Sequence, residues 1–389
     1  MVGDLSGERR SFHRLCLFIS FIISLIFVAR YGWMLHTGVE GAVFAEDFEV
    51  FYKSALSFVA APSFSPYIAQ GQLPSYHPFL NPPFLLYFTW PLGFFSYPVA
   101  LTLFISSQVG LWLAVLASAP VRRLWPMLAG QPGGYMLTCI AISLPFLINT
   151  VFSGQLGIFY AAIILLGTAL LADHPWRSGF VLGLIACKPT FGLLIPLFLL
   201  AGGQRRALGG FMAMVLLLFI SADFLWGIGI WTEWQHVLMR QIDIVKQPQL
   251  PEKFYSQLMS IYAALRMMGM NTQPALLVQA LASLMVAYVL VVLTRKNASD
   301  ARLLPFLYIG SFLATAYIFL YDAVLISAVL LHLLNLNGYK PLPLATRMGI
   351  ILGLSFSLIA LQLQIYLVPL GALTLLWLII SIYLEKPVF

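Results

Sequence analysis

The sequence predicts an all-α polytopic membrane protein, and three observations carry that prediction. Of the 389 residues, 61% are hydrophobic and 9% charged, with a mean hydropathy of +0.91; ordinary soluble domains carry about 25% charged residues. The apolar runs repeatedly approach the ~20 residues that a helix needs to cross a bilayer. The basic residues fall in small groups between those runs, as cytoplasmic loop anchors do. A large soluble protein of this composition lacks the polar side chains to cover its surface.

The first apolar run follows Arg9, Arg10, His13 and Arg14. That pattern is similar to a secretory signal, but no small-residue cleavage site closes the run and it reaches membrane length. An uncleaved first helix with a cytoplasmic N-terminus is therefore expected. In order, the runs place spans near 14–34, 97–119, 133–151, 155–172, 177–188, 190–203, 207–229, 274–294, 301–320, 322–337, 347–363 and 366–384, twelve crossings in one integral membrane domain over 1–389. This count puts Arg122, Arg123, Arg177, Arg205, Arg206, Arg295, Lys296, Arg302, Lys340, Arg347 and Lys386 on the cytoplasmic side. Two segments depart from simple spans. The stretch from Pro82 to Phe95 is apolar, short and interrupted by Pro91, and reads as a re-entrant or interfacial element. Within 177–203, Lys188-Pro189 favours a break into two short limbs with the lysine at the outer surface.

The large external loops are 36–81 and 231–272. In the first, Phe48, Phe51, Tyr52, Ala55 and Val59 recur at helical spacing while Glu49, Lys53, Ser54 and Ser57 take the other face, which predicts an interfacial helix over 47–61. Pro62, Pro66, Pro74, Pro78, Pro82 and Pro83, interleaved with Tyr67, Tyr76 and His77, then predict a stiff loop. The second loop, with Trp231, Glu233, Trp234, His236, Arg240 and Asp243, reads as an amphipathic helix and turns at the headgroup level.

Several functions lose their carriers. The net charge of +7 is scattered rather than gathered in a patch, so no nucleic-acid partner is expected. Cys16, Cys139 and Cys187 sit in apolar segments without short spacing, which excludes a zinc site of the usual ligand pattern and disfavours a disulfide framework. There is no GxxxxGK[ST], HExxH, GxSxG or DxD. No matched pair of broken segments of the kind that marks many transporters occurs either. What remains is the cluster Glu46-Asp47-Phe48-Glu49 just past the first span, in a chain with only 14 acidic residues, together with cations and aromatic side chains near the outer surface. That set suits transfer from a lipid-linked phosphate donor, with no cofactor and no metal.

Five motifs run in order over the first half of the chain: Asp47-Phe48-x-x-Phe51-Tyr52, Tyr76-His77-Pro78 with Asn81-Pro82-Pro83, Pro91-Leu92-Gly93, Ser153-Gly154-Gln155 and Cys187-Lys188-Pro189-Thr190. Together they resemble the polyprenyl-phosphate-mannose-dependent mannosyltransferases of glycosyltransferase family 87, within the GT-C superfamily. Where that family usually shows Tyr-Pro-Pro, this chain has Asn81-Pro82-Pro83. The resemblance implies a GT-C fold in the plasma (inner) membrane, with the active site facing the periplasm or exterior. It also implies a hexose donor on a polyprenyl phosphate, mannose by the family's habit, and a glycan or glycolipid acceptor.

A sugar hydroxyl is a poor nucleophile at neutral pH and needs a carboxylate as general base. Asp47 is the candidate, although Asp is also a preferred helix N-cap. Asp322 is either a second site carboxylate or the cap of its helix. Lys188 is either a donor-phosphate contact or a lysine snorkelling from a helix end. His236 and Arg240 are further phosphate candidates, or interfacial polar residues. Asn149 and Gln155 either bind sugar hydroxyls or join helices through their amides. Glu46, Tyr52, Tyr76, His77, Asn81 and Tyr321 complete the candidate sugar and acceptor contacts. The competing function is a transporter or flippase for a lipid-linked glycan, in which Asp47, Lys188 and Asp322 line a path; that reading needs polar groups near the bilayer midplane.

Overall fold

The computed structural model describes residues 7–37, 44–60, 65, 67, 79–130, 134–245, 254–255, 257–296, 303–336 and 342–362. Among the described residues the protein is helical, and its one paired extended contact joins Leu258 to Phe319. Among the described residues, five helices are long and apolar enough to cross a membrane: α1 (Gly7–Thr37), α3 (Tyr97–Ala117), α4 (Tyr135–Ser153), α8 (Arg205–Trp226) and α11 (Thr272–Lys296). Shorter apolar helices are α5 (Gly157–Ala169), α12 (Leu304–Leu313), α13 (Val324–Asn335) and α14 (Leu344–Gln362). The last expected span, 366–384, lies outside the described residues.

The chain does break at Lys188-Pro189, and the pieces are shorter than the limbs expected at 177–188 and 190–203. The first is α6 (Pro175–Gly183) with a 3-10 turn over Leu184–Cys187, and the second is α7 (Ile195–Ala201). Helices of nine and seven residues span only about 14 and 11 Å at 1.5 Å per residue, against ~30 Å of hydrocarbon. They are held by packing instead. A Cβ on Gly179 would lie 1.7 Å from the Ala207 carbonyl oxygen, and one on Gly210 2.3 Å from that of Trp176, so α6 and α8 meet backbone to backbone. The stretch after Pro82 is instead one continuous run of helical turns, 3-10 over Pro83–Leu85, α over Leu86–Thr89 and 3-10 again over Trp90–Phe94.

The amphipathic helix of the first loop is α2 (Phe48–Ala60). Phe48, Phe51 and Ala55 are buried as their spacing predicts, and Ser54, expected on the polar face, is buried with them. The helical repeat puts 51, 54 and 55 on one stripe, and Gly93 closes on that stripe: a Cβ there would lie 2.7 Å from the Ala55 oxygen. In the second loop lie α9 (Ile230–Val245) and α10 (Ile261–Met267).

The contacts made at the helix ends fall into two groups of different character. One end gathers arginines. Arg9 donates to the carbonyls of Leu334 and Leu336 at 2.6 and 2.8 Å, Arg123 pairs with Asp173, and Arg347 pairs with Glu8. The other end holds the α4–α5 turn, the Lys188 break and the start of α13.

Candidate active site

At that second end the chain turns sharply between α4 and α5. Gly154 adopts φ +71° and its amide caps the Thr150 carbonyl at 3.1 Å. Only glycine suits this position, because the conformation is left-handed and a Cβ would stand 2.8 Å from the Ala45 Cα. The segment before α2 lies directly on the turn: Ala45 N–H donates to the Phe152 carbonyl at 2.7 Å and Asp47 N–H to that of Ser153 at 3.2 Å. Ala45 itself has φ 56°, a conformation a non-glycine residue holds only where its surroundings enforce it. This docking places the Asp47 carboxylate at Gln155, whose Nε2 donates to Oδ2 at 2.8 Å. Gln155 is fixed in turn from α3, where the buried Gln108 donates to its carbonyl at 3.2 Å and accepts from the Phe159 amide at 3.4 Å.

The same turn carries a second cluster. Thr150 Oγ1 donates to the Tyr321 carbonyl at 2.6 Å, and Gly157 lies so close that a Cβ would sit 2.0 Å from that oxygen. Beside it, Lys188 Nζ donates to both oxygens of the fully buried Asp322 at 2.6 and 2.7 Å. Asp322 Oδ2 also accepts from the Phe319 amide at 3.2 Å. The rings of Tyr321 and Tyr160 flank the ammonium, with centroids 5.0 and 5.4 Å away. Burial pushes the Tyr321 hydroxyl well above the usual tyrosine range, and the carboxylates of Asp322 and Asp47, then Tyr160, push it the same way. It therefore stays protonated.

Gly157→Ala is expected to force the Tyr321 carbonyl off Thr150 and to displace the Lys188–Asp322 pair. Overpacking of this kind costs about 1–3 kcal/mol. Thermal unfolding together with transfer activity measures it, and both are expected to fall.

Other candidate residues are placed apart from this turn or in structural contacts. Asn149 Oδ1 accepts from the Tyr31 hydroxyl at 2.7 Å, a buried joint between α4 and α1 of the helix-joining kind. Tyr52 donates to the Phe95 carbonyl at 2.9 Å, and the carbonyl of Asn81 accepts from Tyr67 at 2.7 Å. Glu46 is exposed beside Asp47. His236 and Arg240 are exposed on α9, without a hydrogen bond or ion pair among the described residues. Tyr76 and His77 lie outside the described residues. Gln108, Thr150 and Tyr160 were not singled out from the sequence. Only Gln108, an amide in the middle of an apolar run, carried a visible signal there.

A family model for glycosyltransferase family 87 matches residues 79–327, well over half of the chain. The protein belongs to glycosyltransferase family 87. It is accordingly a membrane glycosyltransferase, taking a sugar donor and a glycan acceptor. The match extends past the first half of the chain, to which the sequence motifs were confined, and takes in Gln155, Lys188 and Asp322. It starts after Asp47, which reaches the matched region through its bond to Gln155. No curated protein and no solved structure matches the chain.

Proposed function

We propose that this family 87 glycosyltransferase transfers a hexose, with mannose the sugar the resemblance points to, from a polyprenyl-phosphate donor to an acceptor hydroxyl on a glycan or glycolipid. We place the chemistry on the periplasmic or outer face of the plasma membrane, within a GT-C-like fold. The observation that carries the proposal is the meeting of Asp47 and the Lys188–Asp322 pair around one turn, Thr150 to Gly157, at the end of the bundle opposite Arg9, Arg123 and Arg347. Charge bias of that sense favours the arginine end as cytoplasmic. Polar groups gathered at helix ends, rather than along a path through the midplane, suit surface chemistry better than transport.

In this scheme the acceptor oxygen attacks the anomeric carbon and its proton passes to the Asp47 carboxylate. The anomeric C–O bond breaks, and its electron pair leaves with the phosphate. The donor is a phosphodiester of charge about −1, and the leaving lipid monophosphate approaches −2. Lys188 faces that growing charge. Asp322, with both oxygens on Lys188, acts as its counter-ion and orients it, a role that fits full burial better than proton transfer to a substrate. His236 and Arg240, exposed on α9, are proposed to meet the phosphate, and Glu46 and Tyr321, next to Asp47 and Asp322 in sequence, the acceptor.

Gln155 Nε2 holds the Asp47 carboxylate at 2.8 Å. Gln155→Leu is therefore expected to lower kcat for transfer by releasing that carboxylate, with donor KM unchanged. An unchanged kcat assigns Gln155 to packing, and a raised acceptor KM assigns it to sugar binding. The donor class is tested by offering the purified, reconstituted protein a polyprenyl-phosphate hexose and, separately, a nucleotide sugar. Transfer is expected from the lipid-linked donor alone, and transfer from the nucleotide sugar overturns the proposal.

A further inference from the structure

Tyr160 stands in the first turns of α5 with 2% of its surface exposed, and among the described residues its hydroxyl has no hydrogen-bond partner. A buried hydroxyl without a partner forfeits the hydrogen bond it made to water in the unfolded chain, and so destabilises the fold. Packing does not account for the oxygen, because phenylalanine would keep the ring beside Phe159 and over the Lys188 ammonium. The place where the hydroxyl is buried is informative. Its ring shares the ammonium of Lys188 with Tyr321, and that ammonium is already neutralised by both oxygens of Asp322.

Neutralisation creates a difficulty for an arriving phosphate. A phosphodiester brings about one negative charge to a pair of net charge zero, and the charge grows as the anomeric bond breaks. Lys188 alone leaves that increment uncompensated. A neutral O–H donor at the cation supplies what is lacking, since hydrogen bonds to an ionised acceptor are roughly twice as strong as those between neutral groups.

We propose that the Tyr160 hydroxyl is the second half of this anion site and donates a hydrogen bond to a phosphate oxygen of the lipid-linked donor lying at the Lys188 ammonium. The inference rests on the reading of Lys188 as the phosphate contact. It makes Tyr160 a binding residue whose oxygen weakens the empty protein and strengthens the occupied one. Removing that oxygen has opposite effects on stability and on binding, which no packing role produces.

The test uses the full chain in lipid nanodiscs with a short-chain polyprenyl phosphate and the matching polyprenol as probes. Tyr160→Phe is expected to melt no lower than the wild type, to bind the polyprenyl phosphate about 10- to 100-fold more weakly and to bind the polyprenol unchanged. Lys188→Gln serves as the companion, with Lys188→Gln/Asp322→Asn in its place if the single variant does not fold. Wild-type phosphate affinity in Tyr160→Phe, with affinity lost in the Lys188 variant, overturns the role of Tyr160 and leaves that of Lys188 standing. Wild-type affinity in both variants removes the Lys188 site and the inference with it. A lower melting temperature, or equal weakening toward phosphate and polyprenol, makes Tyr160 a structural residue.

Discussion

Asp47→Asn is expected to leave the protein folded and to lower sugar transfer by about 100- to 10,000-fold, the range a positioned general base contributes. The substitution is nearly isosteric, and an asparagine oxygen still accepts from Gln155 Nε2, the bond that Asp47 Oδ2 makes at 2.8 Å. The backbone contacts that dock the segment on α4, from Ala45 to Phe152 and from Asp47 to Ser153, involve no side chain of Asp47. Asn is also as good an N-cap as Asp, so a loss of helix α2 is not expected. What disappears is the basic lone pair. Unfolding temperature and affinity for the lipid-linked donor are expected at wild-type values while turnover falls. A variant with wild-type turnover reduces Asp47 to a cap.

The second large effect falls on stability. Lys188 and Asp322 are joined through both carboxylate oxygens, with the Asp322 side chain fully buried and that of Lys188 15% exposed. Removing one member leaves the other as an unpaired charge in a poorly solvated place, which typically costs about 3–5 kcal/mol. Asp322→Ala and Lys188→Met are each expected to lower unfolding stability by that order. The double variant Lys188→Met/Asp322→Leu removes both charges and is expected to recover most of the loss. It is not expected to recover donor binding, because the cation is gone. Thermal unfolding of the three variants measures the coupling, and additive losses would mean that the two residues do not act as a pair.

The parts of this site that the sequence made legible are those with a local signal. Helix α2 follows from the spacing of Phe48, Phe51 and Ala55, and the break at Lys188 follows from a lysine and a proline in an otherwise apolar run. Ser54 was misplaced because a hydroxyl looks polar from its type alone, whereas its position on the stripe of Phe51 and Ala55 buries it. The lengths of α6 and α7 were overestimated because apolar composition continues through residues that the structure leaves in turns. What stayed illegible is partnership across distance. Nothing local joins Lys188 to Asp322, 134 positions away, or Asp47 to Gln155, 108 positions away. Asn149 was as plausible a sugar ligand as Gln155 from composition, and the difference is that Tyr31 reaches the first while Asp47 lies against the second. Tyr160 carries no signal in the sequence, because an aromatic residue in an apolar run reveals its ring and not the state of its hydroxyl.

The central claim is that Asp47 takes the acceptor proton while a polyprenyl phosphate leaves, and one measurement reaches it directly. Purified wild type and Asp47→Asn, reconstituted side by side, are given the same polyprenyl-phosphate hexose and a simple glycoside acceptor, and release of polyprenyl phosphate is followed by mass spectrometry. The account predicts steady release by the wild type, matched by glycosylated acceptor, and release slower by about 100-fold or more in Asp47→Asn. Equal release by the two proteins, or consumption of the donor with no acceptor-dependent product, contradicts it.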